Sequence, residues 1–196
     1  MSSPSKKVVV IAGPSGGGKN SIIEMIVAQY PMCARLVTAT TRLPRPGEVE
    51  AQDYHFLSEE VFLNALASGE IPEHRFIQKL GTHYGTYLPD IKAKIASGKI
   101  IIAHMDIIGA RYFKEHFNAT TLFVNPDSLE MLESRVRGRN PEMSEEEIQA
   151  RMDIARIEIN EHAPEYDYIV TNTHGKLSET VEQVVAIMKK EGYNLG

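Results

Sequence analysis

The sequence predicts an α/β fold, a central parallel sheet between layers of helices, and three observations carry that prediction. Short apolar runs recur at Val8 to Ala12, Ile100 to Ala103, Thr121 to Val124 and Tyr168 to Thr171, each of strand length and each followed by a helical pattern. Such alternation builds a parallel sheet covered by helices. The first run leads straight into Gly13-Pro14-Ser15-Gly16-Gly17-Gly18-Lys19-Asn20-Ser21, a glycine-rich turn carrying a lysine, and then into a helix of Ile22, Ile23, Ile26 and Val27. One stretch, Arg42 to Tyr87, breaks the alternation and reads as an insertion on the core.

The elements follow in order. Within the insertion, Pro44, Pro46 and Gly47 mark turns, Asp53 to Leu57 a strand and Val61 to Ala67 a short helix, with further strand-like pieces after it. Helical stripes then fall at Leu88, Ile91 and Ile95; at Leu129, Leu132 and Val136; at Ile148, Met152, Ala155 and Ile159; and at Leu177, Val181, Val184, Val185 and Met188. Their spacing of three and four marks faces turned to the core. Asn125-Pro126 places a proline at a first helical position, and Ser144-Glu145-Glu146-Glu147 is a capping box.

A chain of 196 residues fills one core, and no Pro/Ser/Gly-rich linker divides it. A net charge of −5 argues against a general affinity for DNA, RNA or anionic membrane and makes any anion site a local one. Cys33 is the only cysteine, so no internal disulfide can form and a reducing cytoplasm is expected. The polar start, Met1 to Lys7, and apolar runs far shorter than the ~20 residues of a membrane span give no export or anchoring signal. The seven histidines show no metal-ligand spacing.

The glycine-rich turn has the layout of a phosphate-binding loop. Its glycines let the backbone wrap until successive N–H groups point inward, the helix behind adds its positive end, and Lys19 can reach a β- or γ-phosphate. The ligand this implies is a nucleoside triphosphate, with Gly13, Pro14, Ser15, Gly16, Gly17, Gly18, Lys19, Asn20 and Ser21 around its phosphates, and the core is a P-loop NTPase-type three-layer core. The usual pattern has Ser or Thr directly after the lysine as a Mg²⁺ ligand. Here Asn20 follows and the hydroxyl comes at Ser21, so Asn20 or Ser21 is the expected metal contact, directly or through water.

Thr38-Ala39-Thr40-Thr41-Arg42-Leu43-Pro44-Arg45-Pro46-Gly47-Glu48, followed by Asp53-Tyr54-His55-Phe56, resembles the guanylate kinase family. Tyr84-Gly85-Thr86, Met105-Asp106-Ile107-Ile108-Gly109-Ala110, the arginines of Arg135 to Arg139 and Asn172 extend the resemblance over nearly the whole chain. Independently, two arginines across a stiff Leu-Pro make a fork suited to a dianionic phosphate. The resemblance implies ATP-dependent phosphorylation of GMP, and of dGMP, with Mg²⁺. It implies Arg42, Arg45, Tyr54 and Tyr84 on the acceptor phosphate, and Glu73, Thr38, Thr86 and Asp106 on guanine, whose N1–H and amine are donors beside an O6 acceptor. It further implies Arg135 and Arg151 on the transferring phosphates and Arg139 stacked on adenine. Transfer to an anionic phosphate asks for charge neutralisation and alignment rather than a strong base, so Lys19, Arg42, Arg45, Arg135 and Arg151 form the catalytic set.

The same resemblance divides the chain into a core of 1–37, 88–125 and 160–196, a mixed α/β GMP-binding subdomain at 38–87 and a helical lid at 126–159. Three positions depart from the family: Asn20 for Ser, His104 for an acidic residue and Ile108 for Gln. Ile71-Pro72-Glu73-His74-Arg75 also departs from the usual Phe-x-Glu-Trp, and the segment before Tyr84 is about two residues longer. Loss of a carboxylate at His104 implies a low rate or an altered metal dependence. Two readings compete with the GMP kinase, namely a kinase of the same fold with another acceptor and a noncatalytic guanylate-kinase-like module that binds phosphopeptide. Whether the chain is a monomer or a homodimer is left open.

Overall fold

The computed structural model describes residues 6–78, 80–139 and 141–196. Outside them lie the first five residues of the polar start, Lys79 and Asn140. The chain runs through β1 (Val8–Ala12), α1 (Lys19–Gln29), β2 (Cys33–Arg35), β3 (Ala39–Thr40), β4 (His55–Phe56), α2 (Glu59–Ala67), β5 (His74–Ile77), β6 (Thr82–Gly85) and α3 (Leu88–Ala96). It continues through β7 (Ile100–His104), α4 (Ile107–Phe117), β8 (Thr120–Pro126), α5 (Leu129–Arg139) and α6 (Glu145–Ile157). A π-helical turn, Glu158–His162, and a 3-10 turn, Ala163–Glu165, then lead to β9 (Tyr168–Asn172) and α7 (Leu177–Lys190).

Contacts gather the chain into two compact units, one running to Arg35 and resuming at Ile100, the other Leu36–Lys99. The core unit holds a five-stranded parallel sheet in the order β2-β7-β1-β8-β9. All five β1 residues are buried, an unbroken apolar run of the kind a sheet covered on both faces demands. Val9 and Ile11 pack with Ile22, Ile23 and Ile26 of α1 and Val184 and Met188 of α7. With side chains alternating along the strand, Val8 and Val10 take the other face, where α4 packs on β1 and β8. This is the three-layer α/β core expected from the sequence.

Some elements differ from the sequence reading. Pro126 does not open a helix: it closes β8 opposite Asn172, and the helix begins at Leu129, where Ser128 Oγ accepts the Met131 N–H at 3.1 Å. A proline lacks the donor that would extend the ladder, and Ser128 supplies the capping oxygen. The Ser144 capping box is present, with both reciprocal bonds to Glu147. Ile159, at the end of its helical stripe, falls inside the π-helical turn, and β2 went unread because three residues are too few to show a period.

The second unit holds a mixed sheet in the order β4-β3-β6-β5, with β3 parallel to β4 and antiparallel to β6. The strand expected at Asp53 to Leu57 is shorter, His55–Phe56, extended by a bridge between Glu50 and Tyr54. A small core of Ala39, Phe62, Ala65 and Ile71 lies beneath it. The helix α3, grouped with the core by the sequence reading, takes its contacts here. Leu88 N–H donates to Glu70 O at 2.9 Å, and Asp90 lies 3.2 Å from His55 Nε2.

Candidate nucleotide-phosphate site

The loop after β1 is shaped by its glycines. Gly13 has φ 137° and sits so close to β8 that a Cβ there would lie 2.4 Å from Val124 O. Gly18 has φ 88°, and a Cβ on it would meet Asn172 Nδ2 at 2.3 Å. Both need the freedom and the bare backbone that only glycine offers. The turn is closed by Gly17 N–H donating to Pro14 O at 3.0 Å, and Asn172 Nδ2 donates to Gly17 O at 2.9 Å. Thr180 Oγ1 in turn donates to Asn172 Oδ1 at 3.3 Å, so α7 braces the loop through a buried polar relay.

Lys19 opens α1 and is buried, its ammonium donating to Gly13 O at 2.6 Å and Pro14 O at 2.8 Å. Burial lowers its pKa to about 8, against an opposing pull from Glu158. The lysine therefore braces the loop from within, in a setting that an anionic phosphate would stabilise.

Around this loop opens a cleft of about 560 Å³ lined by Gly13, Ser15, Gly16, Gly18, Lys19, Asn20, Ser21, Glu24, His104, Arg135, Arg139 and Glu158. Arg135 and Arg139, four apart on α5, both line it. Arg151, on α6, reaches Ser15 Oγ with Nη1 at 3.4 Å. Arg137, between Arg135 and Arg139 on α5, has a plain ion-pair role: it donates to Glu133 at 2.7 Å and ties α5 to Glu145 of α6.

His104 ends β7 on the wall of the cleft. Desolvation, with Lys19 and Arg35 nearby, lowers its imidazole to about 4, so it stands neutral at pH 7. Two oxygen donors fit a hard divalent cation here, the Asn20 carboxamide and the Ser21 hydroxyl, both on the cleft. The Asn20 carbonyl is aimed by Arg35, whose Nη2 donates to Oδ1 at 3.4 Å. Among the described residues no group of three or more His, Cys, Asp or Glu side chains could hold a metal alone.

A second cleft of the core unit, about 350 Å³, is mainly apolar and shares Gly13, His104 and Glu158 with the first. Asp106 lines it and caps α4, its Oδ1 accepting the Gly109 N–H at 3.0 Å.

In the Leu36–Lys99 unit the expected acceptor residues form two groups. Arg42 donates through Nη1 and Nη2 to the two oxygens of Glu48, both at 2.8 Å, and through Nε to Tyr84 Oη at 3.3 Å. Its guanidinium carbon lies 5.4 Å from the Tyr54 ring, and Tyr54 meets Tyr84 edge to face at 5.8 Å. Arg42 holds the Glu48 carboxyl down at about 2. Arg45 is exposed, and its backbone N–H donates to Glu48 at 2.7 Å. In the other group, the buried Thr86 donates its hydroxyl to Glu73 Oε1 at 2.5 Å, while Thr38 is half-buried just before β3. Arg42, Tyr54 and Tyr84 are thus together, and so are Glu73 and Thr86.

The sequence reading gave no role to Glu48, Glu158 or Thr180. Glu48 had a signal, because it follows Arg42 and Arg45 within one proline turn. Glu158 had none, since helical periodicity does not foresee a π turn.

A parallel sheet whose first strand ends in a glycine cradle, closed by a helix-opening lysine and faced by arginines, defines a P-loop nucleotide-binding protein. The family model described as guanylate kinase matches residues 5–191, and the chain belongs to the guanylate kinase family. It is 34% identical over 186 residues to a guanylate kinase of a Synechocystis species, covering 94% of each chain. It is 39% identical over 166 residues to that of Idiomarina loihiensis, covering 83% of this chain and 77% of the relative. The crystal structure of guanylate kinase from Anaplasma phagocytophilum superposes with a TM-score of 0.68 at 26% identity, covering 97% of this chain and 88% of that one.

Proposed function

We propose that the chain transfers the γ-phosphoryl group of ATP to the phosphate of GMP or dGMP, giving ADP and the nucleoside diphosphate. The observation that carries this reading is the cleft in which the glycine loop and Lys19 face Arg135 and Arg139, a cationic cradle at the end of β1. In it the loop N–H groups and Lys19 hold the donor phosphates, Arg135 and Arg151 bind the oxygens that gain charge during transfer, and Arg139 stacks on adenine. Arg42, Arg45, Tyr54 and Tyr84 take the acceptor phosphate, and Glu73, Thr86, Thr38 and Asp106 read the guanine. The pairing of Arg42 with Glu48 supports the assignment, because a two-oxygen anion already sits in the fork where a phosphate would lie.

Asn20 and Ser21 would hold Mg²⁺ through their side-chain oxygens, and the cation would supply charge neutralisation and orientation. Residues 126–159 act as a lid that brings the arginines in and sheds water, which limits wasteful hydrolysis. No helix among the described residues is long and apolar enough to cross a membrane, and a cytoplasmic place in purine nucleotide metabolism fits the substrates. The test is coupled ADP production with ATP and Mg²⁺ over a panel of GMP, dGMP, AMP, UMP and CMP. Turnover confined to the two guanine nucleotides is expected, and a preference for another monophosphate would sink the roles given to Glu73 and Thr38.

A further inference from the structure

We propose that Glu158 is the positioning residue for Mg²⁺ in the phosphate cleft, its carboxylate accepting hydrogen bonds from waters the cation keeps; this rests on reading that cleft as the ATP site. Two carboxylates line the cleft. Glu24 is exposed on α1 and lies 4.0 Å from Arg35, whereas Glu158 is half-buried on the wall shared by both clefts of the core unit. Among the described residues no hydrogen bond or ion pair engages the Glu158 carboxylate, although its field acts on Lys19. A half-buried, unpaired carboxylate is costly to keep unless something in the cleft uses it.

The backbone at this residue is unusual as well. After α6 ends at Ile157, the Ala163 N–H donates to Glu158 O, closing a π-helical turn that begins at Glu158. Such turns are rare and concentrate at functional positions. Of the two titratable groups common to both clefts, His104 is a neutral imidazole suited to softer ions, whereas a carboxylate is the hard oxygen acceptor that water on a divalent cation favours. Glu158 is the group with the right chemistry.

The charge of Glu158 gives a test with opposite signs. Without metal, a carboxylate in the cleft repels ATP; with Mg²⁺ it favours the loaded complex. Binding of ATP to the full chain is titrated calorimetrically in EDTA and at rising Mg²⁺, for wild type, Glu158→Gln, Glu158→Asp and, as a control for charge removal in the same turn, the exposed Glu161→Gln. Glu158→Gln is expected to raise the Mg²⁺ concentration for half-maximal ATP binding about tenfold or more while tightening metal-free binding, with Glu161→Gln unchanged. Equal weakening under both conditions would mark a merely structural role, and no change under either would overturn the assignment. Should Glu158→Gln not fold, Glu158→Asp decides: a raised metal requirement with unaltered metal-free binding supports the role, and a wild-type requirement overturns it. If the wild-type chain binds no ATP at all, the nucleotide reading of the cleft falls first, and this role with it.

Discussion

The phosphate loop of the core unit and the arginine turn of the Leu36–Lys99 unit both present positive groups, but by opposite means. The loop works through backbone: Gly13 and Gly18 occupy positions no side chain can share, and Lys19 is folded inward onto two carbonyls. Its shape exists before any ligand arrives. The arginine turn works through side chains, and its geometry is held by a resident anion, Glu48, that grips Arg42 with two oxygens and Arg45 through the backbone. A preformed backbone cradle loses function abruptly when altered, whereas a side-chain fork with its own counterion can weaken by degrees.

The largest effect should come from the core. Lys19→Ala is expected to lower kcat about 10³-fold or more in the coupled assay, with the fold retained by circular dichroism. A fall of less than tenfold would remove the lysine from the transition state. Next, Gly13→Ala forces a Cβ against Val124 O at a φ of 137° and should cost roughly 1–3 kcal/mol in chemical denaturation, together with nucleotide binding. A variant as stable as wild type would show that β8 can yield.

On the other side of the comparison, Arg42→Lys keeps the charge but loses the fork, so KM for GMP should rise about 10- to 100-fold while kcat changes less. If KM for ATP moves instead, Arg42 serves the donor. The smallest effect concerns pH. His104 has a folded pKa of about 4 against an ordinary 6.5, so the unfolded chain takes up the proton first and folded stability falls as pH drops between those values. His104→Gln should flatten that part of the profile, with a gap in Tm of about 2–4 °C at most, because the ring is partly open to water. Parallel melting curves for the two proteins would place the acid sensitivity elsewhere.

How far the sequence was legible follows from the range of the forces involved. The strand and cradle from Val8 to Lys19 are dictated by adjacent residues, and α7, with Val181, Val184, Val185 and Met188 at helical spacing, by residues one turn apart. Arg135 and Arg139 line one cleft together because four residues make about a helical turn. Pro126 was misread because the same proline serves a strand end or a helix start, and only pairing with β9 decides between them. Glu48 stood in plain view without a role, since its bond to Arg42 depends on how the Pro44-Arg45-Pro46-Gly47 turn doubles back.

By itself the sequence determined the α/β class, the position of the phosphate loop and the family motifs, because each depends on neighbours along the chain. Tertiary structure alone decided that α3 keeps its contacts with the Leu36–Lys99 unit, that Thr180 and Asn172 brace the loop from α7 and β9, and that a π turn sets Glu158 on the wall of the cleft. These depend on residues as far apart as Gly17 and Asn172 meeting in space, and on a buried polar group finding its partner wherever the packed chain happens to bring one.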